Sequence, residues 1–166
     1  MSESAPSQPP QPTATDEGIT GNEAPLLKLA AIDLGSNSFH LLLANHQAGQ
    51  LQVVAKQGEK VQLAAGLDED GMLSEEAMER ALNCLAQFAP FIDGIEADHL
   101  RVVGTNALRA AHNSEELIGR AEALLGHPIE IIAGREEARL VYLGVTQWVT
   151  GDKRKQLVMD IGGGST

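Results

Sequence analysis

Four short segments of this chain carry the residue types that phosphate and metal chemistry use. The first, Ile32-Asp33-Leu34-Gly35-Ser36-Asn37-Ser38, sets an acid at the end of an apolar run and follows it with a glycine turn rich in small polar residues. Asp33 could hold a divalent cation or orient a water, while the turn's N–H groups and the hydroxyls of Ser36 and Ser38 could grip a phosphate. The same residues also make an ordinary hairpin, which uses Asp, Gly, Ser and Asn for its own reasons. The second, Met159-Asp160-Ile161-Gly162-Gly163-Gly164-Ser165-Thr166, repeats the arrangement with three consecutive glycines. Such a run is expensive in conformational entropy and suits close backbone approach to a phosphate. It has neither the Gly-Lys-Ser/Thr of a Walker A loop nor the GxGxxG of a dinucleotide site.

In the third segment, Gly104-Thr105-Asn106-Ala107-Leu108-Arg109, Thr105 and the N–H groups of a short helix could meet an anion, with Arg109 as a bidentate donor. A surface arginine beside a capping threonine reads equally well. The fourth, Gly134-Arg135-Glu136-Glu137-Ala138-Arg139, opens a helix with two carboxylates. Either they only complement the helix dipole, or one of them is a general base. Helical spacing favours Glu137, which shares a side with Val141, over Glu136, which is offset by about 100°. The five histidines show no paired ligand spacing, and the single Cys84, among apolar neighbours, reads as buried. Covalent serine or cysteine catalysis has no motif to support it.

These segments need a scaffold to bring them together. Apolar runs bounded by turns predict strands over Lys28 to Leu34, Ser38 to Asn45 and Leu51 to Lys56, an antiparallel meander. From Ser74, a predicted N-cap, the period becomes helical, with Met78, Leu82, Leu85, Ala89 and Ile92 on one face. A strand over His99 to Gly104 follows, then a helix capped by Ser114 with Leu117, Ala121, Leu124 and Leu125 inward. A strand over Ile129 to Ala133 precedes a third long helix from about Arg135 to Val149, with Ala138, Val141, Tyr142, Val145 and Trp148 as its apolar face. A last strand runs from Gln156 to Ile161 into the glycine loop. A meander followed by alternating helices and strands is an α/β domain with a mixed sheet.

With 166 residues, the chain fits one domain or part of a larger protein. One cysteine excludes an internal disulfide framework. Residues 1–25 hold five of the seven prolines and few large apolar residues, the composition of a disordered tail. The formal charge of −11 argues against a nucleic-acid partner and, taken in bulk, against any polyanion. Its distribution changes that reading. Residues 1–25 carry −4 and residues 68–98 carry −8, so the remainder, where all four segments lie, is +1. No apolar run reaches the roughly 18 residues of a membrane span, and the N-terminus lacks the basic and apolar parts of a signal peptide, so a cytoplasmic location is expected.

Together the four ordered motifs, with Ala64-Ala65-Gly66-Leu67 and Met72-Leu73-Ser74-Glu75-Glu76-Ala77-Met78, resemble the bacterial exopolyphosphatase and guanosine pentaphosphate phosphohydrolase family over residues 26–166. The resemblance implies a ribonuclease H-like lobe of the actin, sugar-kinase and heat-shock ATPase superfamily. It implies that Gly35, Ser36, Asn37, Ser38, Gly162, Gly163, Gly164, Ser165 and Thr166 bind phosphate, that Asp33 and Asp160 hold Mg²⁺, and that Arg109, with Thr105 beside it, binds phosphate. Glu137, second in the Gly-x-Glu-Glu-Ala motif, falls on the catalytic glutamate. The expected reaction is release of orthophosphate from the end of inorganic polyphosphate. The alternative substrate is guanosine pentaphosphate, converted to the tetraphosphate, and the alternative class is a non-catalytic phosphate-binding or interaction module. Family members continue past the second glycine loop into the other half of the cleft. The 166 residues alone are therefore expected to be inactive, and the full-length form to be a homodimer.

Overall fold

A computed structural model describes residues 24–147 and 157–163. The expected tail through residue 23, Trp148 and Val149, Gln156, and Gly164 to Thr166 lie outside the described residues. Three strands come first, β1 (Leu27–Leu34), β2 (Ser38–Gln47) and β3 (Gln50–Lys60), followed by helix α1 (Glu75–Ile92) and strand β4 (Leu100–Gly104). A short helix α2 (Asn106–Ala110), α3 (Ser114–Leu125), the two-residue strand β5 (Glu130–Ile131) and α4 (Gly134–Thr146) complete the order. The sheet runs β3-β2-β1-β4-β5, antiparallel through the meander and parallel from β1 to β5. The mixed α/β sheet expected from the sequence is the one observed.

Strand periodicity sorts the two faces. Ile32 and Leu34 of β1, Phe39 and Leu41 of β2, and Leu100 and Val102 of β4 are buried. They join one core with Met78, Ala81, Leu85 and Phe88 of α1 and with Leu117 and Ala121 of α3. Each large side chain so buried contributes about 1.5 to 3 kcal/mol. Asp33, between Ile32 and Leu34, therefore faces away from the helices. The acidic first turn of α1, Glu75 and Glu76, belongs to the layer on the other side of the sheet. Burial shifts the α1 stripe slightly from expectation. Ala81 and Phe88 take its centre, while Leu82 and Ala89 pack at its margin.

Two ends differ from the sequence reading in informative ways. The hydroxyl of Ser74 caps α1 by accepting the Ala77 N–H at 3.3 Å, as expected. Ser114 is instead the first residue of α3, with Asn113 in the cap position. The Asn113 amide does not cap either, because it clasps Leu73, accepting the Leu73 N–H at 2.8 Å and donating to the Leu73 carbonyl at 3.0 Å. That bridge ties the start of α3 to the loop before α1. Strand β5 is shorter than Ile129 to Ala133: at its start the Ile129 N–H goes to Glu122 Oε1 at 2.7 Å, and its last ladder bond runs from the Ile132 N–H to the Gly104 carbonyl at 3.1 Å, where β4 ends.

Helix α4 buries none of its residues, and Tyr142 and Val145 of its expected inward face are exposed. Residues 157–161 do not form the expected strand. A strand needs a neighbour to satisfy its backbone, and Leu157, Met159 and Ile161 are instead 85%, 67% and 75% exposed. No helix among the described residues is long and apolar enough to cross a membrane.

The register sets the position of the site. Leu34 pairs with Gly104, so β1 and β4 end side by side, and β5 points the same way. The segments after β1, β4 and β5 leave from this one carboxyl edge, where β2 begins and β3 ends. Ligand sites in open α/β sheets form at such edges.

Candidate phosphate site

The first glycine turn links β1 to β2, and its shape is enforced. A Cβ on Gly35 would lie 2.7 Å from the Ser38 carbonyl oxygen, so no side chain fits. The Ser36 carbonyl accepts the Ala64 N–H at 2.9 Å and the Asn37 carbonyl accepts the Gln62 N–H at 2.8 Å. Gln62 does this from the left-handed region, with φ of 53°. Non-glycine residues rarely adopt that conformation, and the bond to the turn gives it a reason. Both carbonyls are thus committed to the segment after β3.

Above this turn lies a cleft of about 280 Å³ lined by Asp33, Gly35, Ser36, Asn37, Ser38, His40, Thr105, Asn106, Glu137 and residues 160–163. Residues 33, 105, 137 and 160, far apart in the chain, meet here because their segments share the sheet edge. Asp33 is the most constrained. Its Oδ1 is buried with no hydrogen-bond partner among the described residues. Its carboxyl is pushed above the ordinary value, first by burial; attraction to His40 opposes this, and repulsion from Glu137 and Asp160 adds to it. An orphaned buried carboxylate oxygen costs stability, and a cation would relieve it.

Thr105 is buried, and its hydroxyl and N–H both donate to the Leu34 carbonyl, at 3.3 and 3.4 Å. It locks the end of β1 to the start of α2 while also lining the cleft. Glu137 sits in the first turn of α4 with its side chain 20% exposed. The neighbouring Glu136 turns to Arg139, accepting two bonds at 2.7 and 2.8 Å that hold its carboxyl below the usual range. Arg109 does not line the cleft. It borders an adjoining cavity of about 560 Å³ with Ala138, Val141 and Tyr142, and donates from Nη1 to the Ile132 carbonyl at 2.7 Å and to Glu137 Oε2 at 2.9 Å. Gly162 and Gly163 line the cleft, and a Cβ on Gly163 would come 3.1 Å from the Asn37 Cβ. The second glycine loop therefore lies directly on the first.

Sequence spacing missed His40. Looking for paired ligands along the chain sets every histidine aside, yet His40 is opposite Asp33 in the β1–β2 ladder and opposite Gly58 in β3. A Cβ on Gly58 would sit 2.9 Å from the His40 ring, so the glycine gives the imidazole its room. The three-residue turn after Leu34 was the available signal, because it fixes the register.

Among the described residues, no group of three or more histidine, cysteine, aspartate or glutamate side chains gathers closely enough to hold a metal alone. Asp33 and Asp160 on one cleft, one with an orphaned oxygen, suit an oxygen-loving cation that completes its shell with water and substrate oxygens, the habit of Mg²⁺.

A sequence model of the Ppx/GppA phosphatase family matches residues 42–166. Over 137 residues the chain is 52% identical to a guanosine-5'-triphosphate,3'-diphosphate pyrophosphatase of Vibrio vulnificus, and 51% to one of Vibrio cholerae. Each match covers 82% of this chain but 27% of the relative, so the chain spans about a quarter of the length of these relatives. Among solved structures, the Aquifex aeolicus member of the Ppx/GppA family superposes with a TM-score of 0.67 and 32% identity, over 73% of this chain and 40% of that one. An exopolyphosphatase from Cytophaga hutchinsonii gives 0.68 and 33%, over 72% and 38%. The shared architecture is the actin-like ATPase fold that the motifs implied. Motif order, sheet topology and sequence match agree, and the chain belongs to the Ppx/GppA phosphatase family.

Proposed function

We propose that this chain is part of a phosphoanhydride hydrolase that removes the terminal phosphate of guanosine 5'-triphosphate 3'-diphosphate. The observation that carries the chemistry is the cleft itself, where Glu137, Asp33 and Asp160 meet two glycine turns. The choice of a guanosine polyphosphate over inorganic polyphosphate rests on the 52% identity to relatives named for that substrate. It reverses the order of preference that the motifs alone suggested.

Glu137 takes a proton from water as the water oxygen attacks the terminal phosphorus and the bridging phosphoanhydride bond breaks. The N–H groups of residues 35–38 and 162–164, with the hydroxyls of Ser36, Ser38, Ser165 and Thr166, hold phosphate oxygens through the transition state. Asp33 and Asp160 are the residues that would hold Mg²⁺, which supplies neutralisation of the charge developing on the phosphoryl oxygens. A cytoplasmic setting belongs to this reading and rests on the sequence pattern, and a homodimeric full-length form rests on the family resemblance.

The test is Glu137→Gln in the full-length protein, followed by orthophosphate release. Loss of turnover on the order of 10²- to 10⁴-fold with substrate binding retained is expected for removal of a general base. Near-normal release would overturn the assignment. A second reading, hydrolysis of inorganic polyphosphate, is favoured by the likeness to the Cytophaga exopolyphosphatase. Values of kcat/KM for both substrates on one preparation separate the two, and a higher value for polyphosphate would reverse the proposal.

A further inference from the structure

We infer that Arg109 is a positioning residue for Glu137, not a ligand of the phosphate. This rests on the proposed role of Glu137 as the base.

Three observations carry it. Arg109 is absent from the lining of the cleft that holds both glycine turns and borders the neighbouring cavity, which shares Glu137 and Asp160 with that cleft. Its Nη1 bridges two fixed points, the carbonyl of Ile132 just past β5 and Oε2 of Glu137 in the first turn of α4. The guanidinium is itself three-quarters buried, with its backbone held in α2, whose N–H of Arg109 donates to the Thr105 carbonyl at 3.0 Å. Thr105 in turn is fastened to Leu34 at the end of β1. A continuous path of hydrogen bonds therefore runs from β1 through Thr105 and Arg109 to the carboxylate of Glu137.

This arrangement solves a mechanical problem. The Glu137 side chain is 20% exposed, and its bond to Arg109 fixes one of its two carboxylate oxygens, Oε2. A base must be held to within a fraction of an ångström of the water it deprotonates. Arginine suits the task because its planar fork stays charged and can join a carbonyl and a carboxylate at once. With Oε2 engaged by Arg109, Oε1 is the oxygen presented to the attacking water. Both bonds leave from Nη1, so one terminal nitrogen of the guanidinium is committed to the carbonyl and the carboxylate.

Arg109→Met keeps most of the side-chain stem and removes the donors. In the full-length protein it should lower kcat by about 10- to 100-fold while KM changes less than about threefold, the pattern for an interaction that acts in the transition state. Arg109→Lys, which can still donate to one partner, should restore part of kcat. Equilibrium binding of guanosine 5'-triphosphate 3'-diphosphate to Glu137→Gln and to the double variant Glu137→Gln/Arg109→Met isolates the other role, and equal affinities are expected. A tenfold or larger loss of affinity in the double variant, or a KM-dominated effect of Arg109→Met, overturns the inference in favour of a phosphate ligand. Should Glu137→Gln turn over normally, the proposed function fails at its base, and the paired affinities still report whether Arg109 binds phosphate. Thermal midpoints of the variants, compared with the parent, separate misfolding from these outcomes, and Arg109→Lys replaces Arg109→Met in the binding pair if the latter is unfolded.

Discussion

The two Asp-x-Gly turns have nearly the same residue types and very different scaffolds. The first, from Asp33 to Ser38, is suspended between two strands paired in full register, braced by two backbone bonds from residues 62 and 64, and closed around a glycine that tolerates no side chain. The second, from Asp160, has no strand pairing among its described residues, and its apolar residues face solvent. It meets the first where Gly163 lies against Asn37. A motif thus specifies which groups are available, whereas the elements on either side specify where those groups are held. The first turn takes its geometry from its own sheet, and the second takes a share of its geometry from the first.

The largest effect that could break this contrast is steric. Gly35→Ala forces a Cβ onto backbone at 2.7 Å, and a loss of about 1 to 3 kcal/mol, with a matching fall in thermal midpoint, is expected. Gly163→Ala places its Cβ 3.1 Å from a side-chain carbon at an exposed position and should cost less than about 0.5 kcal/mol. Equal falls would mean that the second turn is as firmly built as the first.

A smaller contrast concerns the two aspartates. The Asp33 carboxyl is raised in the fold, chiefly by burial, from an ordinary 3.8. In the window above 3.8 and up to its raised value, the native state binds a proton that the unfolded state lacks. Stability therefore falls as pH rises through that window and recovers as pH drops towards 3.8. Asp33→Asn should remove this dependence and raise stability at neutral pH by about 1 kcal/mol, and in the full-length protein it should abolish the proposed turnover. Asp160→Asn, at an exposed position, should change stability by less than about 0.5 kcal/mol and, in the full-length protein, abolish the proposed turnover. Denaturant titrations across pH distinguish the two, and a destabilised Asp33→Asn would show that the carboxylate is satisfied after all.

The smallest effect is a reporter. Cys84 on α1 is buried in the core, and burial, with Glu59 nearby, pushes its thiol up to about 11. At pH 8 the thiolate fraction is on the order of one in a thousand, so a thiol reagent should react far more slowly with the native protein than with the unfolded one. Gly35→Ala should speed that reaction by loosening the lobe, and Gly163→Ala should not.

Most of the scaffold was legible because short-range rules govern it. The β1–β2 hairpin, the Ser74 cap and the short helix after Thr105 each follow from residues within a few positions of one another. What the sequence concealed depends on distant partners. Asn113 abandons its helix for Leu73, forty residues away, and Arg109 turns to Glu137, twenty-eight away. Read alone, Arg109 is an arginine near a glycine, and phosphate is the natural guess. His40 shows the same limit across strands: its neighbour Asp33 is seven positions off, on a different strand, and only the ladder register joins them. The α4 stripe misled for the opposite reason. Its helical period is real, but periodicity identifies a face without identifying what covers it.

The parallel pairing of β1, β4 and β5 has a practical consequence for engineering. With the cleft at the carboxyl edge, the opposite edge carries the Ala48-Gly49 turn, Gly94 and Gly126, and at all three glycines an added Cβ would meet nothing. Each has positive φ, so they are places to lengthen the chain, not to substitute it. A fluorophore, affinity tag or circular-permutation joint inserted there would be separated from the cleft by the length of the sheet, and this lobe could be labelled without touching the residues that line it.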